Sequence, residues 1–130
     1  MIIKIALVDD NRTFVSSVRN HLANDPELKV VGQAFGGQDA LRMIKELKPD
    51  IVLMDIAMPH MNGLEVARCL QWMDTPPAVI FVTMHDNTSY RKAATSVGAA
   101  GFVCKSNVVA ELLPLIEQVS AVRAGRGVGP

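Results

Sequence analysis

"IVLMDIAMPHMNG", residues 51–63, is the stretch on which the reading of this chain turns. Four apolar residues run directly into Asp55, with Pro59 and Gly63 close behind. A short apolar run bounded by turn-forming residues predicts a buried strand. A charge at its end gains nothing for the strand, so Asp55 calls for polar partners elsewhere. It is poorly placed as a helix cap, because Pro59 and Gly63 delay the next helix.

Outward from this segment the pattern repeats. "IIKIALV" (2–8) ends at Asp9-Asp10, "KVVGQA" (29–34) at Phe35, "AVIFV" (78–82) at Thr83, and "GFVC" (101–104) at Lys105. Between these runs, apolar residues three and four apart predict helices. The first spans 12–24 on Phe14, Val15, Val18 and Leu22. The second carries Ala40, Leu41, Ile44 and Leu47, begins after Gly36-Gly37 and is stopped by Pro49. The third runs from Gly63 to about Met73, and the fourth holds Tyr90, Ala93, Ala94 and Val97 and closes at Gly98. Leu112, Leu115, Ile116 and Val119 mark the fifth, where Pro114 predicts a kink or a late start. "RAGRGVGP" has no apolar period. The expected organisation is one domain over 1–123 and the start of a flexible linker over 124–130, with any further domain outside this chain.

Five strands alternating with five helices predict an α/β fold with a parallel sheet covered on both faces. Functional sites in such folds lie beyond the carboxyl ends of the strands. Four of the five strand ends deliver a polar group there: Asp9 and Asp10, Asp55, Thr83 and Lys105. A strand order of 2-1-3-4-5 places the first strand beside the third, so three carboxylates converge.

Composition narrows the function. The chain has 130 residues, 49% hydrophobic and 20% charged, with zero formal net charge, and so lacks the basic footprint of a nucleic-acid-binding surface. No apolar run reaches the roughly 18 residues of a membrane helix. Two free cysteines, Cys69 and Cys104, without a zinc-type spacing, suit a reducing, cytoplasmic setting. His21 and His60 show no metal spacing either, and the methionines read as core filler. Three crowded carboxylates repel and raise one another's pKa unless a cation intervenes. An all-oxygen donor set favours a hard divalent ion, Mg²⁺ in particular. Such an ion, with Lys105 and the Thr83 hydroxyl, suits a phosphate, and the available nucleophile is a carboxylate.

These residues resemble the receiver domain of bacterial two-component response regulators. The resemblance covers about residues 3–123 and rests on "LVDD" (7–10), "DIVLMDIAMPHMNG" (50–63), "VIFVTM" (79–84) and "GAAGFVCKS" (98–106), in order. The turn at 36–37 and "GLEVAR" (63–68) look like the NarL/FixJ-type branch. It implies a flavodoxin/CheY-like fold and a regulatory domain rather than an enzyme, with slow self-catalysed phosphotransfer and dephosphorylation. Asp55 would be the phosphoacceptor for a cognate histidine kinase. Asp10, Asp55, the Ala57 backbone carbonyl and, largely through water, Asp9 would hold Mg²⁺, for which Mn²⁺ can substitute. Lys105 would pair with the phosphoryl group. Thr83 would move toward a phosphoryl oxygen and let Phe102 swing inward, switching the face made by the fourth helix, fifth strand and fifth helix. The implied partner in cis is a C-terminal output domain outside this chain, usually a helix-turn-helix DNA-binding one. Homodimerisation on phosphorylation stays open.

Met84, bulkier than the usual residue after the threonine, is expected to crowd the pocket. Ala57 and His85 stand where relatives tune the lifetime of the phosphoryl group. Ser106 replaces a common proline, so a cis bond after Lys105 is not assumed. Three rival readings fit the residues less well. An Mg²⁺-dependent aspartyl phosphohydrolase would want a second acid where Ala57 stands. A flavodoxin-like cofactor binder would want a Gly/Ser/Thr-rich first loop in place of "DDNRTF". A non-phosphorylated pseudo-receiver would have lost part of the acid and lysine set, and all of it is present.

Overall fold

Five strands and five α-helices alternate along residues 1–125, the part of the chain that the computed structural model describes. In chain order they are β1 (Ile3–Val8), α1 (Arg12–Leu22), β2 (Leu28–Ala34), α2 (Gly37–Leu47), β3 (Ile51–Met54), α3 (Gly63–Leu70), β4 (Ala78–Thr83), α4 (Thr88–Ser96), β5 (Gly101–Cys104) and α5 (Val108–Arg123). All pairings are parallel and the order is β2-β1-β3-β4-β5, as the sequence predicts. The linker expected over 124–130 lies, from residue 126 onward, outside the described residues.

The strands read as continuous apolar runs because successive side chains enter two different cores. Ala6, Val8, Val52, Met54 and Phe81 pack with Ile44 of α2, Val66 and Leu70 of α3, and Ala94 of α4. Ile5, Leu7, Ile51, Leu53, Ile80 and Val82 pack on the other face with Val15, Val18 and Leu22 of α1 and Leu112, Ile116 and Val119 of α5. Burying one such side chain is worth roughly 1.5–3 kcal/mol. The central strands are therefore anchored from both sides, and their ends are fixed points.

Local chemistry sets the helix ends. Asn11 caps α1, its side chain accepting the Phe14 N–H at 3.0 Å, which leaves Asp9 and Asp10 free of that duty. Asn62 and Glu65 form a reciprocal capping box at the start of α3. Lys48 ends α2 in the left-handed conformation, just before Pro49. Gly98, with φ +77°, closes α4: its N–H donates to Thr95 O and the Ala99 N–H to Ala94 O, a Schellman arrangement.

Two expectations need correction. The first and third helices stop short of 24 and 73, at Leu22 and Leu70. The last helix does not start late at Pro114, because α5 begins at Val108 and runs through the proline. Pro114 cannot donate to the Ala110 carbonyl, but both residues lie on the exposed side of α5, where water can satisfy it.

Gly63 decides how closely α3 approaches the end of β3. A Cβ there would fall far inside van der Waals contact with the Asp55 carbonyl oxygen. The Gly63 N–H meanwhile donates to Ile56 O at 2.9 Å. Gly63→Ala is expected to cost roughly 2–3 kcal/mol, toward the upper end of overpacking penalties, read as a lower urea midpoint at unchanged slope. Wild-type stability in that variant would contradict this packing.

Candidate functional site

Backbone hydrogen bonds extend the β1–β3 pairing one residue past β3 and the β1–β2 pairing one residue past β1. Val8 stands opposite Met54, and the Asp55 N–H donates to Val8 O at 3.0 Å. The Asp9 N–H likewise donates to Ala34 O at 3.1 Å. Asp9 and Asp55 are thus held side by side by the sheet itself. Both are buried, 4% and 6% exposed, whereas Asp10 faces solvent. Carboxylate oxygens of Asp9, Asp10 and Asp55 lie within 4.8 Å of one another.

Lys105, the first residue after β5, reaches back across the end of β4 to both buried acids. Its Nζ lies 2.7 Å from Asp9 Oδ2 and 3.2 Å from Asp55 Oδ2, and 4.4 Å from the centre of the Phe14 ring. The remaining Asp9 oxygen accepts the Asn11 N–H at 2.9 Å, and Asp55 Oδ1 accepts the Ala57 N–H at 3.3 Å. Burial pushes the Asp9 carboxyl above its ordinary value of 3.8, against the pull of the Lys105 and Asn11 hydrogen bonds; the Asp55 charge adds to the rise. Burial acts on Lys105 the other way, but Asp9 and Asp55 together outweigh it and hold the ammonium above 10.5. Both partners of the pair rise because burial dominates at Asp9, whereas at Lys105 the two carboxylates together overcome it.

The other expected residues surround this cluster. Thr83 is fully buried at the end of β4, its hydroxyl oxygen accepting the His85 N–H at 3.3 Å. Phe102 is half-buried against the α2–α4 side of the sheet. The Arg91 guanidinium lies 4.5 Å over the Phe102 ring and pairs with Asp86 at 2.6 Å. Ala57 is exposed at the rim. His85 is exposed and stacks on Tyr90, with ring centroids 5.4 Å apart. Met84 does not crowd the pocket: β4 ends at Thr83 and the Met84 side chain, 74% exposed, turns to solvent. The Lys105–Ser106 bond is trans.

The donor chemistry of the cluster fits a hard divalent cation. Three carboxylates supply oxygen only, and a single ammonium leaves negative charge uncompensated. Among the described residues, no histidine or cysteine belongs to this or any comparable group. Sequence reading missed three features: Asn11 as a donor to Asp9, Phe14 against the ammonium, and Arg91 over Phe102. Each depends on a side-chain direction that residue spacing does not encode.

A family model described as the response regulator receiver domain matches residues 5–117. The chain is 38% identical over 119 residues to response regulator GacA of Pseudomonas aeruginosa, covering 92% of this chain and 56% of that protein. It is 34% identical over 123 residues to transcriptional regulatory protein DegU of Brevibacillus brevis, covering 95% and 51%. The chain therefore spans about half the length of these curated relatives. The signal receiver domain of a response regulator called NarL from Mycobacterium tuberculosis superposes with a TM-score of 0.83 at 30% identity, over 96% of this chain and 98% of that one.

Because the Asp9 carboxyl titrates above 3.8 in the folded protein, folding binds its proton more tightly than unfolding does. Its contribution to stability is full below pH 3.8 and is lost as pH rises through the raised value. In chelator, the thermal midpoint of Asp9→Asn relative to wild type should accordingly climb with pH above about 4 and then level off. Parallel midpoint curves for the two proteins would contradict the burial penalty.

Proposed function

The chain belongs to the response regulator receiver domain family of two-component signalling, and from that membership we propose that it is a phosphorylation-dependent switch with Asp55 as the acceptor. The observation that carries the reading is a buried Asp55 carboxylate at a strand end, sharing the Lys105 ammonium with Asp9 while Asp10 lies alongside. The donor is the phosphohistidine of a cognate histidine kinase. A carboxylate oxygen of Asp55 attacks phosphorus; the O–P bond forms as the N–P bond breaks, and the imidazole leaves.

Mg²⁺ or Mn²⁺, held by Asp9, Asp10, Asp55 and the Ala57 carbonyl, would supply positive charge to the phosphoryl oxygens when bound. The chain's own groups do the rest. The Ala57 N–H orients one Asp55 oxygen. Lys105 gives up its contact with Asp9 and pairs with the phosphoryl group. Thr83 trades a long 3.3 Å bond from His85 for a phosphoryl oxygen, and the space it vacates draws in Phe102. Inward movement of that ring breaks its contact with Arg91, which couples the acceptor to the α4-β5-α5 face. His85, exposed at the rim, modulates the lifetime of the phosphoryl group together with Ala57.

This is regulation by shifting a conformational population rather than turnover of a substrate. The output is a C-terminal domain beyond this chain acting on transcription. Two points support it: the relatives' roughly double length and the name of one of them as a transcriptional regulatory protein.

Incubation with acetyl phosphate and Mg²⁺ is expected to raise the intact mass of the chain by one phosphoryl unit. Asp55→Ala should abolish the gain and a chelator should suppress it. A mass gain that survives Asp55→Ala would overturn the acceptor assignment, and a wild type that gains nothing would favour a docking module without phosphorylation.

A further inference from the structure

Lys105 carries three N–H donors. Two are matched by Asp9 Oδ2 at 2.7 Å and Asp55 Oδ2 at 3.2 Å, and no third hydrogen-bond partner is present among the described residues. What stands on the remaining side is the Phe14 ring, its centre 4.4 Å from Nζ. Phe14 lies in the first turn of α1, and its own N–H is bound by the Asn11 cap at 3.0 Å. Its ring packs on the α1–α5 core and lines, with Asp9, Asp55, Val15 and Val18, a cavity of about 20 Å³ beneath the carboxylates. That space is enough for one water molecule. A smaller side chain at 14 would admit more.

The geometry points to Phe14 as a positioning residue for phosphoryl transfer: its ring face holds the Lys105 ammonium against the two carboxylates and shields it from water. This rests on the acceptor reading given above. A ring quadrupole attracts a cation without demanding a fixed N–H direction, so Nζ can turn from Asp9 toward a phosphoryl oxygen and keep the contact. The Lys105 side chain is only 11% exposed, the desolvated setting in which such contacts are strongest. Without the ring, water takes the third N–H, the ammonium is drawn outward, and fewer molecules present Lys105 in the aligned position. Phe14 is therefore more than a residue of the α1 core.

The test compares wild type, Phe14→Leu and Phe14→Tyr in the 130-residue chain. Leucine keeps apolar bulk without a π face, and tyrosine keeps the face. Acetyl phosphate with Mg²⁺ is the donor, so that loss of kinase docking cannot mimic the effect. Mass gain should be slowed roughly three- to tenfold in Phe14→Leu and should match wild type in Phe14→Tyr. In the unphosphorylated protein, the Lys105 ε-protons should resonate upfield by ring current in wild type and Phe14→Tyr, and return downfield in Phe14→Leu. Equal or faster modification of Phe14→Leu, or ε-proton shifts indifferent to the substitution, would overturn the proposal. A wild type that takes up no phosphoryl group would instead sink the acceptor reading and the role in transfer. The proton shifts would then decide the ring–ammonium contact alone.

Discussion

Two carboxylates on neighbouring strand ends share one ammonium, and most of what is specific to this molecule follows from that shortage of positive charge. The sheet creates the shortage: the β1–β3 pairing, extended by the bond from the Asp55 N–H to Val8 O, sets Asp9 and Asp55 side by side whatever their charges prefer. Lys105 relieves it in part, leaning nearer Asp9 than Asp55. Replacing a buried ion-pair network of this kind by apolar residues is commonly neutral or stabilising. The cluster is thus poorly explained as a contribution to stability, and the switch proposed above gives it another role, as a site open to additional charge.

Transmission from such a site needs elements that give way easily. The ties on the β4–α4 side have that character. The Thr83 hydroxyl accepts one long bond, from the His85 N–H. Asp86 and Arg91 pair at the surface, where solvent screening leaves an ion pair little net weight. Phe102 is half-buried under Arg91 and already packed at the edge of the core. A rearrangement there leaves the α1–α5 layer untouched and reaches the other layer only at its edge, where Phe102 and Tyr90 pack.

Most of the architecture was legible in the sequence, because a doubly covered parallel sheet writes itself as apolar runs alternating with amphipathic segments. Strand ends carrying Asp9, Asp55, Thr83 and Lys105 could be aligned on one edge without coordinates, since parallel strands finish on the same side. What residue types could not convey was direction. Met84 was expected to press into the pocket and instead faces water, because the chain leaves the sheet at Thr83. A kink or late start was expected at Pro114, and the late start does not occur: α5 begins at Val108 and Leu112 and Ile116 hold it to the sheet on either side of the proline. Phe14 matched the apolar period of α1, which hid its contact with the ammonium.

Gly63 gives the rim a mechanical asymmetry. Its backbone is pressed against the Asp55 carbonyl and its N–H is tied to Ile56, so the start of α3 is joined closely to the end of β3. Added bulk at Asp55 cannot be accommodated by retreat on that flank. The opposing flank, from Met84 to Ser89, is exposed and tied mainly to α4, through the Asp86–Arg91 pair and the Asn87 cap. The molecule is built like a vice with one firmer jaw, and under the proposed switch a displacement at Asp55 is directed away from α3.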